Sequence, residues 1–503
     1  MWYNKKKEKE KGGLIMPENQ NRQWPPVRRQ PKIPKWKRVL RRYWPVARLG
    51  LLVILAVTIL AVSITGIVKF TGGTARSGKE TVNETEVTTE ATLSQEQIRQ
   101  EADALLAEAA FVAAGYDYVR AIEMLQGFAY YDSLPDLAEK VVEYEALDSQ
   151  LVVYPNMYEV THVFFHSLIV DPARAFDNEY TNAGYNQYMT TIDEFVKMME
   201  QMYSRGYVLV SPYDVAYEIT DATGTHFTYG QLRLPEGKKP FIMSQDDVNY
   251  YGYMIGEGNG VNEIPAYADV TGDGFASRIV IGDDGFPTCE YMDAEGNITY
   301  GDYDLVPVLE RFIQAHPDFS YHGARAVLGF TGYEGVLGYR TKPSYEQSMG
   351  KEAYEKEVAD AKAVVQCLKD HGWIMSSHSY GHPAYGTIDA NEVATDSDKW
   401  ENTVQPIVGD CDIILYPNGS DIAGTEKYTF DNAKFAALYE DGYRYFFNVD
   451  SHVHWSQLGS NYYRGGRRNL DGYRMFYYPG KLEDLFDVAS VFDPARPTPV
   501  PKI

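Results

Sequence analysis

Apolar positions follow three different rhythms along the chain. Leu49 to Val68, LGLLVILAVTILAVSITGIV, runs twenty residues without a charge, the length at which a helix crosses a hydrocarbon core. From Ser94 to about Leu147 apolar positions recur at a helical period, broken at Gly115, in EADALLAEAAFVAAGYDYVRAIEMLQGF. From about Tyr154 onward, short apolar runs alternate with amphipathic stretches. THVFFHSLIVD, YVLV, KKPFIMSQDD, ARAVLGF, WIMSSHS, DIILYP and RYFFNVD read as strands. Between them, Thr191 and Glu194 have the spacing of a capping box ahead of a Phe195, Met198, Met199 and Met202 stripe. Leu305 to Phe312 reads as a short helix, and Ala353 to Leu368 as a longer one with Gly372 after it. Strand–helix alternation predicts a parallel sheet and, at this length, an α/β barrel. Such a barrel carries its active site at the C-terminal ends of its strands.

Charge sharpens the division. Residues 1–48 hold 15 Lys and Arg against three acids. The whole chain holds 47 basic and 70 acidic residues, so 32 and 67 remain after residue 48, a net of −35. Basic residues flank the cytoplasmic side of a membrane span, and a leader of 48 residues is too long for a signal peptide. The expected order is a basic cytoplasmic tail over 1–48, a transmembrane helix over 49–68 and a Thr/Gly/Glu-rich linker over 69–93. A helical hairpin over 94–150 and a barrel domain over 151–503 follow, the barrel with an insertion near 256–304. The protein is thus expected in the cell membrane as a single-pass chain with its main domain extracellular. The helical hairpin looks like one tetratricopeptide-type unit. One such unit cannot bury its own face, so it packs on the barrel or serves as a protein contact. The acidic outer domain excludes nucleic acid as a partner. The cysteines, Cys289, Cys367 and Cys411, form no disulfide framework and no CxxC site, and Cys367 reads as a core thiol. DVTGDG, Asp269 to Gly274, has no glutamate at the twelfth position of a calcium loop and reads as a turn.

Two polar pairs interrupt the apolar strands where they end. Asp246 and Asp247 close FIMSQDD, and His378 and His382 follow WIMSS. Two histidines four apart face one way if their turn is helical, and two imidazoles on one face grip a divalent ion. One aspartate would complete an Asp-His-His site with open positions, and the other would stay off the metal as a general base. A cation between them offsets the repulsion of the carboxylates. Zinc, cobalt, manganese and nickel all suit this donor set.

SQDDVNYY, HSYGHP and YPNGSD, in that order, resemble the motifs of the polysaccharide deacetylases, the chitin- and peptidoglycan-deacetylase-like carbohydrate esterases. FFHSLI and TTIDEFVKMMEQMYSRGYVLVS resemble that family's first strand and helix. The resemblance spans roughly Val152 to Met475. It implies an irregular (β/α)7 barrel, preceded here by the transmembrane helix and the short α-helical segment, and metal-dependent removal of N- or O-acetyl groups from a cell-envelope polysaccharide. By position, Asp246 is the implied base, and Asp247, His378 and His382 are the implied metal ligands. Tyr416 and Pro417 of the third motif are implied to line the groove, with the Tyr416 backbone meeting the oxyanion.

The chain also departs from the pattern. Gln245 and Val248 stand where the family has Phe and Gly. Leu415 and Tyr416 precede Pro417, where many members carry an arginine that holds the base. Arg467 or Arg468, in RGGRRNLDGYRM, is the candidate substitute. No Leu-x-His motif follows, which leaves His454 as the candidate general acid. His166 is expected at the pocket floor, and Tyr250 or Tyr251 as a sugar contact. These departures keep a non-catalytic glycan-binding protein, and an acetylxylan-type esterase, alongside the deacetylase.

Overall fold

The computed structural model describes residues 93–177, 182–256, 272–450 and 452–503. The basic tail, the apolar run 49–68 and nearly all of the linker lie outside the described residues. Among the described residues no helix is long and apolar enough to cross a membrane.

Nine described strands share one sheet: β1 (Thr161–Phe165), β2 (Tyr207–Leu209), β3 (Lys239–Gln245), β4 (Val327–Phe330), β5 (Ile374–Ser377), β6 (Ile413–Leu415), β7 (Tyr445–Val449), β8 (Ser456–Leu458) and β9 (Tyr463–Asn469). Seven of them close a parallel ring in the order β1, β3, β4, β5, β6, β7, β9 and back to β1. This is a (β/α)7 barrel with flanking helices. β2 pairs with only the first half of β3. β8 runs antiparallel to the start of β9.

Alternation along each strand sorts side chains to two faces. Val163, Phe165, Phe241, Met243, Leu328 and Phe330 point outward into a cluster with the flanking helices. Ile242, Val327, Ile413, Leu415, Tyr445, Phe447 and Tyr463 form a second cluster inside the ring. Each side chain so buried contributes about 1.5–3 kcal/mol. The outer layer explains the helical stripes. Ile192–Ser204 starts at the Thr191–Glu194 capping box and buries Phe195, Met198, Met199 and Met202. Leu305–Ala315 and Lys351–Asp370 pack beside it in the same cluster through Leu309, Ile313, Val364 and Leu368.

The N-terminal segment is three helices, Gln95–Ala114, Tyr118–Gln126 and Pro135–Asp148, around Ala109, Ala113, Ala121, Leu125, Leu137 and Tyr144. It is fastened to the barrel. The Tyr116 hydroxyl donates to the Asp318 carbonyl at 2.9 Å, the His322 N–H donates to Gly115 O at 2.8 Å, and Arg233 pairs with Asp148 at 3.0 Å. Within the expected insertion, Ala276–Ile281, Pro287–Met292 and Ile298–Gly301 form a three-stranded antiparallel sheet. Gly272 and Gly274 are both left-handed, as the turn reading requires. The three cysteines are free, and Cys367 is half-exposed rather than in the core.

Candidate active site

The ends of β1, β3, β5 and β9 converge at one rim of the ring. The Asp246 N–H donates to Phe165 O at 2.9 Å, which fixes the end of β3 beside His166. Just beyond β3 the chain turns sharply: Asp247 has φ +57° and Tyr250 φ +52°. That turn sends two adjacent carboxylates to different partners.

Asp246, 3% exposed, receives two N–H groups of Arg467, at 2.5 Å on Oδ1 and 3.0 Å on Oδ2. Arg467 comes from β9, is fully buried, and stacks on the Phe164 ring at 4.4 Å. Burial pushes the Asp246 carboxyl up, but Arg467 and then His378 outweigh it, and the group ends below the usual carboxylate range. Asp247 lies across from the histidines, its Oδ2 4.0 Å from His382 Nε2, and its Oδ1 accepts from the Tyr251 hydroxyl at 2.7 Å. Burial opposes its ionisation too, but His382 and His378 bring it down to about 2.

His378 Nδ1 lies 2.7 Å from the Leu415 carbonyl. The proton therefore sits on Nδ1 and Nε2 offers a lone pair. The Nε2 atoms of His378 and His382 are 3.0 Å apart. Burial drives His382 down to about 3, against the pull of Asp247. One donor atom each from Asp247, His378 and His382 lies within 4.8 Å of the other two. Two nitrogens 3.0 Å apart suit one ion at about 2.0–2.1 Å from each. The donor set therefore fits a divalent metal.

The route to this geometry differs from the expected one. Residues 378–382 are not helical; Ser379 has φ +63° and His382 φ +51°. The histidines meet because the chain is folded back on itself, at about 1–3 kcal/mol for each strained residue.

Other expectations are corrected. Arg468, the neighbour of Arg467, points to the opposite face of β9 and pairs with Asp484 at 2.7 Å. His454 is exposed in the loop after β7. That loop crosses β9 on the outside, over Gly466, where a Cβ would meet the Asp450 Cβ at 2.4 Å. No described hydrogen bond or ion pair links His454 to the cluster. The Tyr416 N–H, expected at an oxyanion, donates instead to Phe447 O at 2.8 Å within the sheet. Tyr416 and Pro417 are buried, and the Tyr416 hydroxyl meets that of Tyr428 at 3.0 Å. Tyr250 is 1% exposed and its hydroxyl donates to Asp304 at 2.5 Å, so it supports the loop and is not open to a sugar.

His166 stands directly after β1, half-buried, with Nδ1 3.2 Å from the Tyr188 carbonyl. It stands close enough to both carboxylates of the pair to be a minor influence on each. One support carried no motif of its own. Asp304 accepts from the Leu168 N–H at 2.8 Å and from the Gln245 amide at 2.9 Å, joining the ends of β1 and β3. That gives Gln245 its reason. Tyr251, four residues after Asp247, also meets Thr331 at 2.9 Å and stands beside the Tyr333 ring, which is 41% exposed at the rim.

No protein-family model matches this chain, and no curated protein does. Among solved structures it is similar to a Streptococcus pyogenes deacetylase, PplD, determined in complex with acetate: 14% identity over 65% of this chain and 97% of that one, TM-score 0.34. It is also similar to the chitin deacetylase of the fungal pathogen Colletotrichum lindemuthianum, with 13% identity over 36% of this chain and 75% of that one, TM-score 0.19. The superpositions are loose, and the functional reading rests on the geometry of the site.

Proposed function

We propose that this protein is a metal-dependent hydrolase that removes acetyl groups from an N-acetylated or O-acetylated polysaccharide of the cell envelope. The observation that carries the proposal is the parting of two adjacent aspartates, Asp246 onto a buried arginine and Asp247 onto a histidine pair. A divalent ion held by Asp247, His378 and His382 would supply Lewis acidity for the acetyl carbonyl.

The chain's own groups do the proton work. Asp246, kept ionised by Arg467, takes a proton from the attacking water as its oxygen bonds to the carbonyl carbon. His166 hands a proton to the leaving nitrogen or oxygen as the bond from that carbon breaks. Its Nδ1 faces the Tyr188 carbonyl, which leaves Nε2 for this transfer. Tyr251 holds Asp247 in its rotamer. Tyr333 offers an exposed ring face to a sugar. The charge-free run 49–68 with its basic flank motivates an anchored protein with the barrel outside the cell.

Acetate release by the full chain from N-acetylglucosamine oligomers and peptidoglycan tests the proposal, after chelation and after adding back zinc or cobalt. Loss on chelation and recovery with metal are the expected results. Absence of release with metal bound and fold intact favours a non-catalytic glycan-binding protein, in keeping with a Tyr416 N–H committed to the sheet.

A further inference from the structure

The two histidines of the cluster are held in unequal ways. His378 is fixed twice, its N–H on Phe330 O at 2.9 Å and its Nδ1 on the Leu415 carbonyl at 2.7 Å. His382 Nδ1 is buried and has no hydrogen-bond partner. Only Nε2 of that ring has a partner, the facing His378 Nε2, so the backbone of the turn must bring the ring there. That backbone is itself strained at Ser379 and at His382.

The turn is gripped from the flanking helix Ala390–Thr403. The Tyr380 N–H donates to Asp396 Oδ1 and the Gly381 N–H to Asp396 Oδ2, each at 2.8 Å. The Tyr385 hydroxyl donates to Oδ1 at 3.0 Å from just beyond the turn. On the other side, the Gly332 N–H donates to Tyr380 O at 2.8 Å and the Tyr333 hydroxyl to Gly381 O at 2.9 Å. Residues 380 and 381, between the two histidines, are thus held through both N–H and C=O. A Cβ on Gly381 would stand 3.0 Å from Asp396 Oδ2.

We propose that Asp396 is a positioning residue for the metal site: its carboxylate clasps the N–H groups of Tyr380 and Gly381 and so presets the turn that brings His382 Nε2 to His378 Nε2. A carboxylate suits the task because it accepts two parallel N–H groups and donates none. An asparagine there would turn a donor toward one of them. This inference rests on the metal-site reading above. It adds a residue that touches neither the ion nor the substrate, on a helix that holds none of the motifs.

The test is zinc affinity of the full chain, measured by competition with a chromophoric chelator, for the wild type, Asp396→Asn and Tyr385→Phe. Asp396→Asn is expected to weaken zinc binding by about 10–100-fold, the usual cost of losing a partner that orients a ligand. The metal-free melting transition should stay cooperative, and saturating zinc should restore the kcat of acetate release. Tyr385→Phe removes one of the carboxylate's three donors and should weaken zinc in the same direction by less. A purely structural Asp396 would lower the melting temperature and leave zinc affinity per folded molecule unchanged, which overturns the proposal. If Asp396→Asn does not fold, unchanged affinity in Tyr385→Phe overturns it. A wild type that binds no zinc at this site overturns the metal reading as well, an outcome distinct from wild type and variant binding equally.

Discussion

The two ends of the barrel interior are lined by the same strands and do opposite things. Toward the N-terminal ends the inner face is apolar: Ile242, Val327, Ile413, Tyr445 and Tyr463. Toward the C-terminal ends the inner positions and the residues just beyond them are Asp246, Arg467 and His378, with Asp247 and His382 on strained turns above. Between the two, His162 meets the Ser244 hydroxyl at 3.0 Å, and Ser244 accepts from Arg467 at 3.2 Å. The apolar end needs only volume and fit. The polar end needs partners, because each buried charge without one costs several kcal/mol. The first end is therefore tolerant in chemistry, and the second in almost nothing.

The largest contrast is expected from Asp246→Asn. It should lower kcat by about 10²–10⁴-fold while zinc binding, measured by competition, persists. Loss of zinc instead would move Asp246 into the ligand set. Arg467→Met should cost about 3–5 kcal/mol of stability in urea unfolding, since it strands a buried carboxylate. Arg468→Met, one residue along and also buried but facing a partly exposed Asp484 that water can reach, should cost less, about 1–3 kcal/mol. Equal costs would erase the distinction between the two faces of β9. His166→Asn should lower kcat by about 10²-fold or more, and His454→Asn should leave it unchanged; the reverse order would return the acid to the outer loop.

A smaller effect follows from the buried neutral histidines. Burial holds His162 well below its usual pKa, and it takes His382 to about 3. The unfolded chain then binds more protons than the folded one below about pH 6.5. Stability of the metal-free protein should fall as pH drops from 6.5 toward 4, by up to about 1.4 kcal/mol per pH unit for each histidine. The depressed Asp246 and Asp247 act lower still: the stability they lend is present above about pH 4 and is lost only as pH falls through their folded values. Urea midpoints that stay flat between pH 6.5 and 4.5 would mean that these rings are charged or open to solvent. At the apolar end, Ile242→Val should cost about 0.5–1.5 kcal/mol and leave zinc affinity and kcat as they were.

Legibility in the sequence follows the same division. β1 to β7 were readable because their residues are apolar and bounded by polar turns. β9 was not, because its inward positions include Gly465 and Arg467 beside Tyr463, a pattern that reads as loop. Its function required that composition: Gly466 lets the chain after β7 cross, and Arg467 meets the base. The antiparallel hairpin Ala216–Tyr229 was equally hidden, since only Ala216 and Phe227 of its strands are buried. The aspartate and histidine pairs stood out as adjacent polar residues at apolar strand ends. Their division of labour was an expectation from the sequence, but the left-handed backbone at Asp247 and His382 behind the geometry was not, since no spacing reveals it. Tyr250 and Tyr416 drew attention as aromatic rings near motifs, yet burial turned both into supports. Asp304 and Asp396 were illegible because they act on backbone and side-chain hydrogen bonds far away in sequence.

The division between the two aspartates is tested most directly by a crystal structure of the full chain with zinc, located by its anomalous signal. One ion is expected at about 2.0–2.2 Å from an Asp247 oxygen, His378 Nε2 and His382 Nε2, with Asp246 still paired to Arg467 and off the metal. An ion bridged by both carboxylates, or none between the histidines, would contradict the assignment of base and ligand on which the proposed chemistry stands.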